Sequence, residues 1–216
     1  MDYFLSLLNF VLLISMLIAP QYACAEPDLI LNKSFYFVRH AETDYNKNGY
    51  ISGQSNDIPI NEIGIEQANE SARKFAKLAK VNVIIASPML RAKQTAEIFA
   101  KYLNVPIIYN AGLKEANWGA LEGRSVNNIQ HAMALWVKGE DIEDAENIRE
   151  FHHRIRTTMN EILSKYDNPL IVSHGGFFGN LTDIIDVGYM KTKNAIPYKF
   201  IPPKVSGGGW VVQNLM

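Results

Sequence analysis

Two arginines and two histidines follow closely on short apolar runs of this sequence. They are Arg39, His40, Arg91 and His174. A guanidinium group pairs bidentately with phosphate oxygens, and a neutral imidazole nitrogen can attack phosphorus to give a covalent phosphohistidine. The lone cysteine, Cys24, follows none of these runs, and few carboxylates stand near the four side chains to bind a metal. The four side chains therefore suit chemistry on a phosphoryl group.

The apolar runs before these residues predict the elements that position them. Residues 35–38, 81–86 and 170–172 are typical of buried strands, and the carboxyl ends of parallel strands meet at one edge of a sheet. Helical spacing of apolar residues predicts helices at 63–80, capped by Asn61, and at 90–103, about 146–165 and 177–186. We expect an α/β fold, a three-layer α/β/α arrangement with a mostly parallel sheet.

The remaining segments carry weaker patterns. Residues 41–61 and 113–123 are predicted to be loops, the second followed by helical material to about residue 131. Residues 105–109 predict a third strand. The Pro- and Gly-rich tail from residue 191 is expected to add edge strands near 198–200 and 210–212. Substrate specificity is expected to lie in the loops at 48–58 and 123–144 and in this tail.

Four motifs together resemble the histidine phosphatase superfamily, and more narrowly its phosphoglycerate-mutase-like branch, branch 1. The likeness runs from residue 35 to about 186. The motifs are Arg39-His40-Ala41-Glu42-Thr43 with Asn46; Ser87-Pro88-Met89-Leu90-Arg91-Ala92-Lys93-Gln94-Thr95; Leu113-Lys114-Glu115 with Gly119 and Glu122-Gly123; and Ser173-His174-Gly175-Gly176.

The resemblance implies a role for each matching residue. His40 would be the nucleophile that becomes phosphorylated, and Glu115 would protonate the leaving oxygen and later take a proton from water. The other implied contacts are with the phosphoryl group: Arg39, Arg91 and His174 hold its oxygens, Asn46 hydrogen-bonds the pocket, and Ser87 and Ser173 orient it. The family chemistry calls for no metal and no cofactor.

One motif position departs from the family pattern. Ala41 stands where glycine is most frequent. Alanine adopts only negative φ angles easily, so we expect that the turn after His40 needs no left-handed residue.

The first residues indicate a processing segment. Residues 4–18 are almost wholly apolar, Pro20 follows, and Ala23-Cys24-Ala25 is the small-x-small pattern of a cleavage site. We predict a signal peptide at 1–25, a single histidine phosphatase domain at 26–216, and an exported protein, periplasmic or secreted, without stable membrane association after cleavage. Because Asp2 and no basic residue precedes the apolar stretch, an uncleaved anchor is the alternative.

Composition limits the partners. The 21 Lys and Arg nearly balance the 22 Asp and Glu, which excludes the basic footprint of a nucleic-acid-binding protein. Cleavage would remove the only cysteine, so the mature chain would form no disulfide and bind no metal through thiolate. The expected partner is a small phosphorylated substrate, and no composition bias indicates an oligomeric state.

Some conspicuous residues have plainer interpretations. His152 and His153 are adjacent on a predicted helix and point about 100° apart, so they are poorly placed to share one metal ion. We expect them, like His131, on a solvated face. Trp118 either lines the mouth of the pocket or covers the core.

The leading hypothesis is an exported, metal-independent phosphomonoesterase. A phosphoglycerate mutase is the first alternative, but its family carries Arg-His-Tyr-Gly where this chain has Ala116-Asn117-Trp118-Gly119, which lacks the cations that grip a substrate carboxylate. A non-catalytic module that binds a phosphorylated ligand is the second. Such a module would be expected to have lost His40 or Glu115, and both are present.

Overall fold

The structure is a computed structural model that describes residues 33–205 and 208–216. The predicted signal peptide, residues 1–25, lies outside the described residues. Within those residues, no helix has both the length and the apolar character needed to cross a membrane.

A six-stranded sheet forms the centre of the molecule, in the order β3-β2-β4-β1-β5-β6. The four strands at one side are mutually parallel, and the two C-terminal strands pair antiparallel with their neighbours. The strands are β1 (Phe35–Arg39), β2 (Ile84–Ala86), β3 (Ile107–Tyr109), β4 (Leu170–Ser173), β5 (Pro197–Ile201) and β6 (Val211–Asn214).

Among the described residues, six α-helices accompany the sheet. They are α1 (Asp44–Asn48), α2 (Glu62–Leu78), α3 (Leu90–Leu103), α4 (Gln130–Val137), α5 (Ile148–Lys165) and α6 (Gly175–Ile184). Asn61 caps α2 as predicted, since its side chain accepts a hydrogen bond from the Gly64 N–H. At the start of α5, Asn147 and Glu150 form a capping box, which fixes where the helix begins.

Alternating side chains of the strands build two cores. Phe35 and Phe37 of β1 pack with residues of α5 and α6, including Phe151 and Phe177. The intervening residues Tyr36 and Val38 enter a second core that includes Phe75 of α2 and Phe99 of α3. Because successive strand residues point to opposite faces, one short apolar run serves both cores. The predicted three-layer α/β/α fold is confirmed.

Three local predictions were wrong. The loop predicted at 41–61 contains α1, which Thr43 and Asn46 close with a capping box. The helical material expected to end near 131 is a 3-10 turn at Val126–Asn128 followed by α4, which continues to Val137. The strand expected at the sheet edge near 198–200 is β5, which lies between β1 and β6, so of the two C-terminal strands only β6 lies at an edge of the sheet.

Candidate active site

Strand pairing brings the predicted residues to one edge of the sheet. Arg39 at the end of β1 lies opposite Ser173 at the end of β4, and the His40 N–H donates to the Ser173 carbonyl at 2.8 Å. On the other side of β4, the Ser87 N–H donates to Val172 at 2.9 Å. The two histidine-bearing motifs and the Ser87 motif are therefore neighbours in space, although about 130 residues separate the first from the last.

His40 is held as a neutral imidazole with one nitrogen free. Its Nδ1 lies 2.8 Å from the Ala41 carbonyl oxygen, so Nδ1–H donates and the Nε2 lone pair remains. Burial lowers the pKa of His40 well below its ordinary value, and the positive charges of Arg91 and Arg39 lower it further. Ala41 has no positive φ, in agreement with the expectation for this turn. An unprotonated Nε2 at neutral pH is what a nucleophile requires.

His174 presents a second imidazole next to the first. The two ring centroids are 5.3 Å apart. The Nε2 of His174 lies 2.8 Å from Ser87 Oγ, which also accepts from the Met89 N–H at 3.4 Å. The hydroxyl hydrogen is thus available to Nε2, which leaves Nδ1–H of His174 as a buried donor without a partner. Ser87 is fully buried and contacts His174, so it orients that imidazole.

Each arginine is anchored by backbone carbonyls through one end of its guanidinium group. Arg91, in the first turn of α3, donates through Nη2 to Gly53 at 3.0 Å and to Ser52 at 3.3 Å. Arg39 donates through Nη1 to the Thr192 carbonyl at 3.1 Å. Burial lowers the pKa of both groups, and the nearby Glu115 carboxylate partly offsets it. An arginine stays protonated nonetheless, so both remain cations.

Several buried polar atoms at this edge have no hydrogen-bond partner. Among the described residues they are Arg39 Nε, Arg91 Nε and Nη1, His174 Nδ1 and Ser52 Oγ. A buried donor without a partner costs free energy, and such groups are rare in folded proteins. A tetrahedral oxyanion supplies the acceptors that these N–H groups lack. The arrangement is that of a preformed phosphate site beside the free nitrogen of His40.

Glu115 is a buried carboxyl group held at the start of α6. Its Oε2 accepts from the Gly176 N–H at 2.8 Å, and its Oε1 accepts from Phe177 at 3.0 Å and Ala116 at 3.1 Å. Burial raises the pKa of Glu115, and the hydrogen bonds from Gly176 and Ala116 oppose that rise without cancelling it. A Cβ on residue 176 would lie 2.5 Å from Oε1, so only glycine leaves room for the carboxyl group.

Glu122, part of the third motif, has a structural position. Its carboxylate accepts from the backbone N–H groups of Gln54 at 2.7 Å, Ser55 at 2.8 Å and Trp118 at 3.1 Å. These bonds fix the loop whose Ser52 and Gly53 carbonyls hold Arg91.

Asn46 borders the site, and sequence reasoning missed its partner Asn194. Asn46 Oδ1 accepts from the Thr43 N–H and from Asn194 Nδ2, which leaves the Asn46 amide N–H groups for the cavity. Asn194 Nδ2 also donates to the His40 carbonyl at 2.9 Å. One side chain therefore ties the backbone of the nucleophile to a cavity-lining amide.

We expect Asn194→Ala to lower kcat/KM by about 10-fold, because the His40 backbone and Asn46 lose a shared hydrogen-bond donor. Asn69→Ala is the matched control: that side chain donates to the Ile65 carbonyl within α2 and does not line the active-site cavity. Steady-state kinetics and thermal unfolding of both variants would check the expectation. Equal activity in the two variants would contradict the assigned role of Asn194.

The site opens into a cavity of about 420 Å³. Its inner part is formed by Arg39, His40, Asn46 and Glu115, while Arg91 and His174 are fully buried behind it. Its outer wall consists mainly of Tyr50, Ile51, Trp118, Val126, Met133, Tyr189 and Lys191. A second cavity, of about 540 Å³, shares Arg39, Thr192 and Asn194 with the first. The segment at 192–194 therefore separates the two.

Trp118 does both things that the sequence left open. It packs against Trp136 in the core with ring centroids 4.7 Å apart, and it lines the cavity. The expectation of a solvated face holds for the exposed His131 and His153 but not for His152, which is half-buried with Nε2 2.7 Å from Asn180 Oδ1. Within the residues that the structure describes, no three His, Cys, Asp or Glu side chains cluster as metal ligands.

A sheet edge that carries a free imidazole nitrogen, two anchored guanidinium groups and a buried carboxyl group defines a protein that transfers phosphoryl groups. Residues 35–188 match the histidine phosphatase superfamily, branch 1, and the chain belongs to that family. It is thus an enzyme of the histidine phosphatase class.

Relatives carry phosphatase and mutase names. A candidate phosphoserine phosphatase 2 of Hydrogenobacter thermophilus is 32% identical over 67% of this chain and 74% of its own. A candidate phosphoglycerate mutase, GpmB, of Proteus mirabilis is 33% identical over 69% and 73%. Among solved structures, a phosphoglycerate mutase from Bacillus anthracis superposes with a TM-score of 0.70 at 23% identity, covering 85% of this chain and 92% of that one. A mycobacterial glucosyl-3-phosphoglycerate phosphatase, at 19% identity, superposes with the same score over 85% and 98%. These superpositions confirm the fold.

Proposed function

We propose that the protein hydrolyses phosphate monoesters through a phosphohistidine at His40, with no metal in the reaction. The observation that carries the proposal is the set of buried, unpartnered donors on Arg39, Arg91 and His174 beside an imidazole that burial keeps neutral. A phosphoryl group satisfies those donors and places phosphorus next to His40 Nε2.

In the first step, the Nε2 lone pair of His40 attacks phosphorus, and the bond from phosphorus to the ester oxygen breaks. Glu115, whose pKa is raised by burial, reacts from its acid form and gives its proton to the leaving oxygen. Arg39, Arg91 and His174 Nδ1–H donate to the equatorial oxygens, where charge is distributed in the transition state. The alcohol leaves, and a phosphohistidine and a carboxylate remain.

In the second step, water replaces the alcohol. The Glu115 carboxylate takes a proton from the water as its oxygen attacks phosphorus, and the electron pair of the N–P bond returns to His40 Nε2. Inorganic phosphate departs, and the acid and the nucleophile are restored. Three backbone N–H groups stabilise the carboxylate between the steps, which suits a group that must exist both as the acid and as the carboxylate.

The guanidinium groups supply the positive charge that other phosphatases draw from metal ions. Arg39 and Arg91 are both oriented by carbonyls and both have N–H groups left over. The proposed steps therefore involve no bond to a metal ion.

A mutase is the second candidate, because several relatives carry that name. A mutase must also hold the carboxylate of its substrate. At the positions where mutases carry Arg and His, this chain has Ala116, which is fully buried, and Asn117, whose side chain donates to the Asp144 carbonyl at 2.9 Å. Lys191 is the only Lys or Arg in the described outer wall of the cavity, which favours hydrolysis over transfer to a sugar acid.

We also propose that the chain is exported after cleavage of residues 1–25, on the basis of the apolar stretch and the Ala23-Cys24-Ala25 pattern. N-terminal sequencing of the protein from fractionated cells tests this, with Glu26 as the expected first residue. Recovery of the intact N-terminus in the membrane fraction would indicate an anchor.

Phosphate release by the mature protein tests the function. We expect turnover of several monoesters, unchanged by EDTA, and an acid-labile phosphohistidine after rapid quench of ³²P-labelled substrate. Loss of turnover with EDTA would contradict metal independence. Conversion of 3-phosphoglycerate to 2-phosphoglycerate faster than release of phosphate would favour the mutase, and phosphate binding without any turnover would favour a binding module.

A further inference from the structure

The outer wall of the active-site cavity differs in character from its inner part. The inner part carries the charged side chains Arg39 and Glu115 together with His40. Apart from Ser52, Thr192, Asn194 and backbone-lined positions at the glycines, the outer wall is built largely from aromatic and aliphatic side chains, with Lys191 as its only charged residue among those described. The part of a substrate beyond its phosphate therefore meets mostly apolar surface.

We propose that the preferred substrate is a phosphate monoester whose alcohol carries an aromatic ring, joined through a short linker, that packs against Tyr50 and Tyr189. This inference rests on the proposed hydrolysis at His40 and adds the substrate class to it.

Tyr50 is positioned in advance of any ligand. Its ring lies edge-on to Tyr45 with centroids 5.7 Å apart, and its backbone forms a bridge with Ser125. Although 42% of Tyr50 is exposed, these contacts limit its motion. An exposed aromatic ring held at a cavity wall is a ready stacking surface, since aromatic pairs stabilise one another beyond the area they bury.

Tyr189 borders the same cavity from the segment that follows α6. Its ring lies against the backbone of Gly179, where an added Cβ would come within 2.5 Å of ring carbons. Burial raises the pKa of Tyr189, and the negative charge of Glu115 raises it further, so its hydroxyl stays protonated. The ring thus offers an apolar face with one polar tip.

The wall is a poor match for polyols and polyacids. A sugar phosphate presents several hydroxyl groups, each of which loses water on binding and needs a partner, and a sugar acid adds a carboxylate. Val126, Ile51 and Met133 offer neither donors nor charges. A volume of about 420 Å³ has room for a phosphoryl group and one or two rings, within the range of small-molecule sites.

The test compares two alkyl esters whose leaving alcohols differ little in acidity, 2-phenylethyl phosphate and ethyl phosphate. We expect kcat/KM of the wild-type enzyme to be about 30-fold higher for the phenyl compound. The difference should lie mostly in KM, because contacts outside the reacting centre stabilise the bound substrate and the transition state equally. We expect kcat/KM for glycerol 3-phosphate to be close to that for ethyl phosphate. A ratio near one between the first two esters would overturn the proposal.

Variants test whether Tyr50 causes the preference for the aromatic ester. Tyr50→Ser should lower kcat/KM for 2-phenylethyl phosphate by about 10-fold and leave ethyl phosphate within about 2-fold. The matched control is Tyr102→Ser, since Tyr102 is also 42% exposed but lies on α3 with its hydroxyl bonded to Asn69. If Tyr50→Ser lowered both esters equally, the aromatic contact would be refuted.

Failure of this inference is distinguishable from failure of the function. If ethyl phosphate and 2-phenylethyl phosphate are hydrolysed equally and His40 is phosphorylated, the substrate class is wrong and hydrolysis stands. If neither ester yields phosphate or phosphohistidine, the proposed function itself fails, and the inference fails with it.

Discussion

His40→Asn is expected to lower kcat/KM at least about 1,000-fold and to abolish the phosphohistidine. Asparagine is close in size to the imidazole near Cβ and can still donate to the Ala41 carbonyl, which His40 Nδ1–H contacts at 2.8 Å. Its nitrogen lone pair is delocalised into the amide carbonyl group and does not attack phosphorus, so the covalent route is closed. Single-turnover quench with ³²P-labelled ester measures the intermediate directly.

Binding of inorganic phosphate separates lost chemistry from lost structure. The donors on Arg39, Arg91 and His174 are untouched in His40→Asn, so calorimetry should show phosphate binding within several-fold of the wild type. His131→Asn, at an exposed position on α4, makes the same chemical change away from the site and should be fully active. Retention of labelled phosphoprotein in His40→Asn would refute the assignment of the nucleophile.

Local patterns predicted much of the fold because they arise from local physics. The apolar runs before His40 and His174 are strands because they are buried on both faces, and Asn61 caps α2 because its side chain reaches an N–H three residues on. The position of β5 between β1 and β6 depends on pairing between distant segments, for which the tail carries no local pattern. The helix α1 is too short for periodicity to reveal it.

The same division applies to the site. Motif spacing predicted that His40, Ser87 and His174 follow three neighbouring strands, with Arg91 just beyond Ser87, and the register of β1, β4 and β2 places those strands side by side. Asn194 lies 154 residues beyond His40, in a segment without a motif, and nothing local marks it as a partner of the nucleophile. The hydrogen bond that holds Glu115 at the start of α6 likewise joins two residues that are 61 positions apart in the chain.

Glu115 is subject to two opposing influences. Burial favours the protonated acid, whereas the N–H groups at the start of α6 favour the carboxylate, as does the positive end of the helix dipole. Since the net shift in pKa is upward, the acid form extends to higher pH than for an ordinary glutamate, and the carboxylate is still well solvated by donors when it forms. A single site thus stabilises both states that the two proposed steps need.

Glu115→Gln is therefore expected to discriminate between leaving groups. For an alkyl ester, whose alkoxide needs a proton, kcat should fall by about 100- to 10,000-fold, because an amide cannot act as a general acid. For 4-nitrophenyl phosphate, whose phenolate leaves without a proton, the first step should be little affected. Pre-steady-state bursts of nitrophenolate measure that step apart from the hydrolysis of the phosphohistidine, which also uses Glu115.

The pH dependence of kcat/KM in the wild type tests the same role of Glu115 as the general acid. For the alkyl ester, kcat/KM should fall as pH rises through the raised pKa of Glu115, because the acid form is lost. The acidic limb comes from protonation of His40 and lies below pH 6.5, since its pKa is lowered. With the nitrophenyl ester the acidic limb should persist and the basic limb should weaken.

Glu122→Gln is the matched control for Glu115→Gln. The Glu122 carboxylate also accepts three backbone N–H bonds, but it holds the 53–55 loop rather than a reacting proton. Weakening that loop disturbs the carbonyl groups that hold Arg91, so activity on both esters should fall by a similar factor. If Glu115→Gln also slowed the first step by one common factor for both esters, Glu115 would position α6 and would not donate the proton.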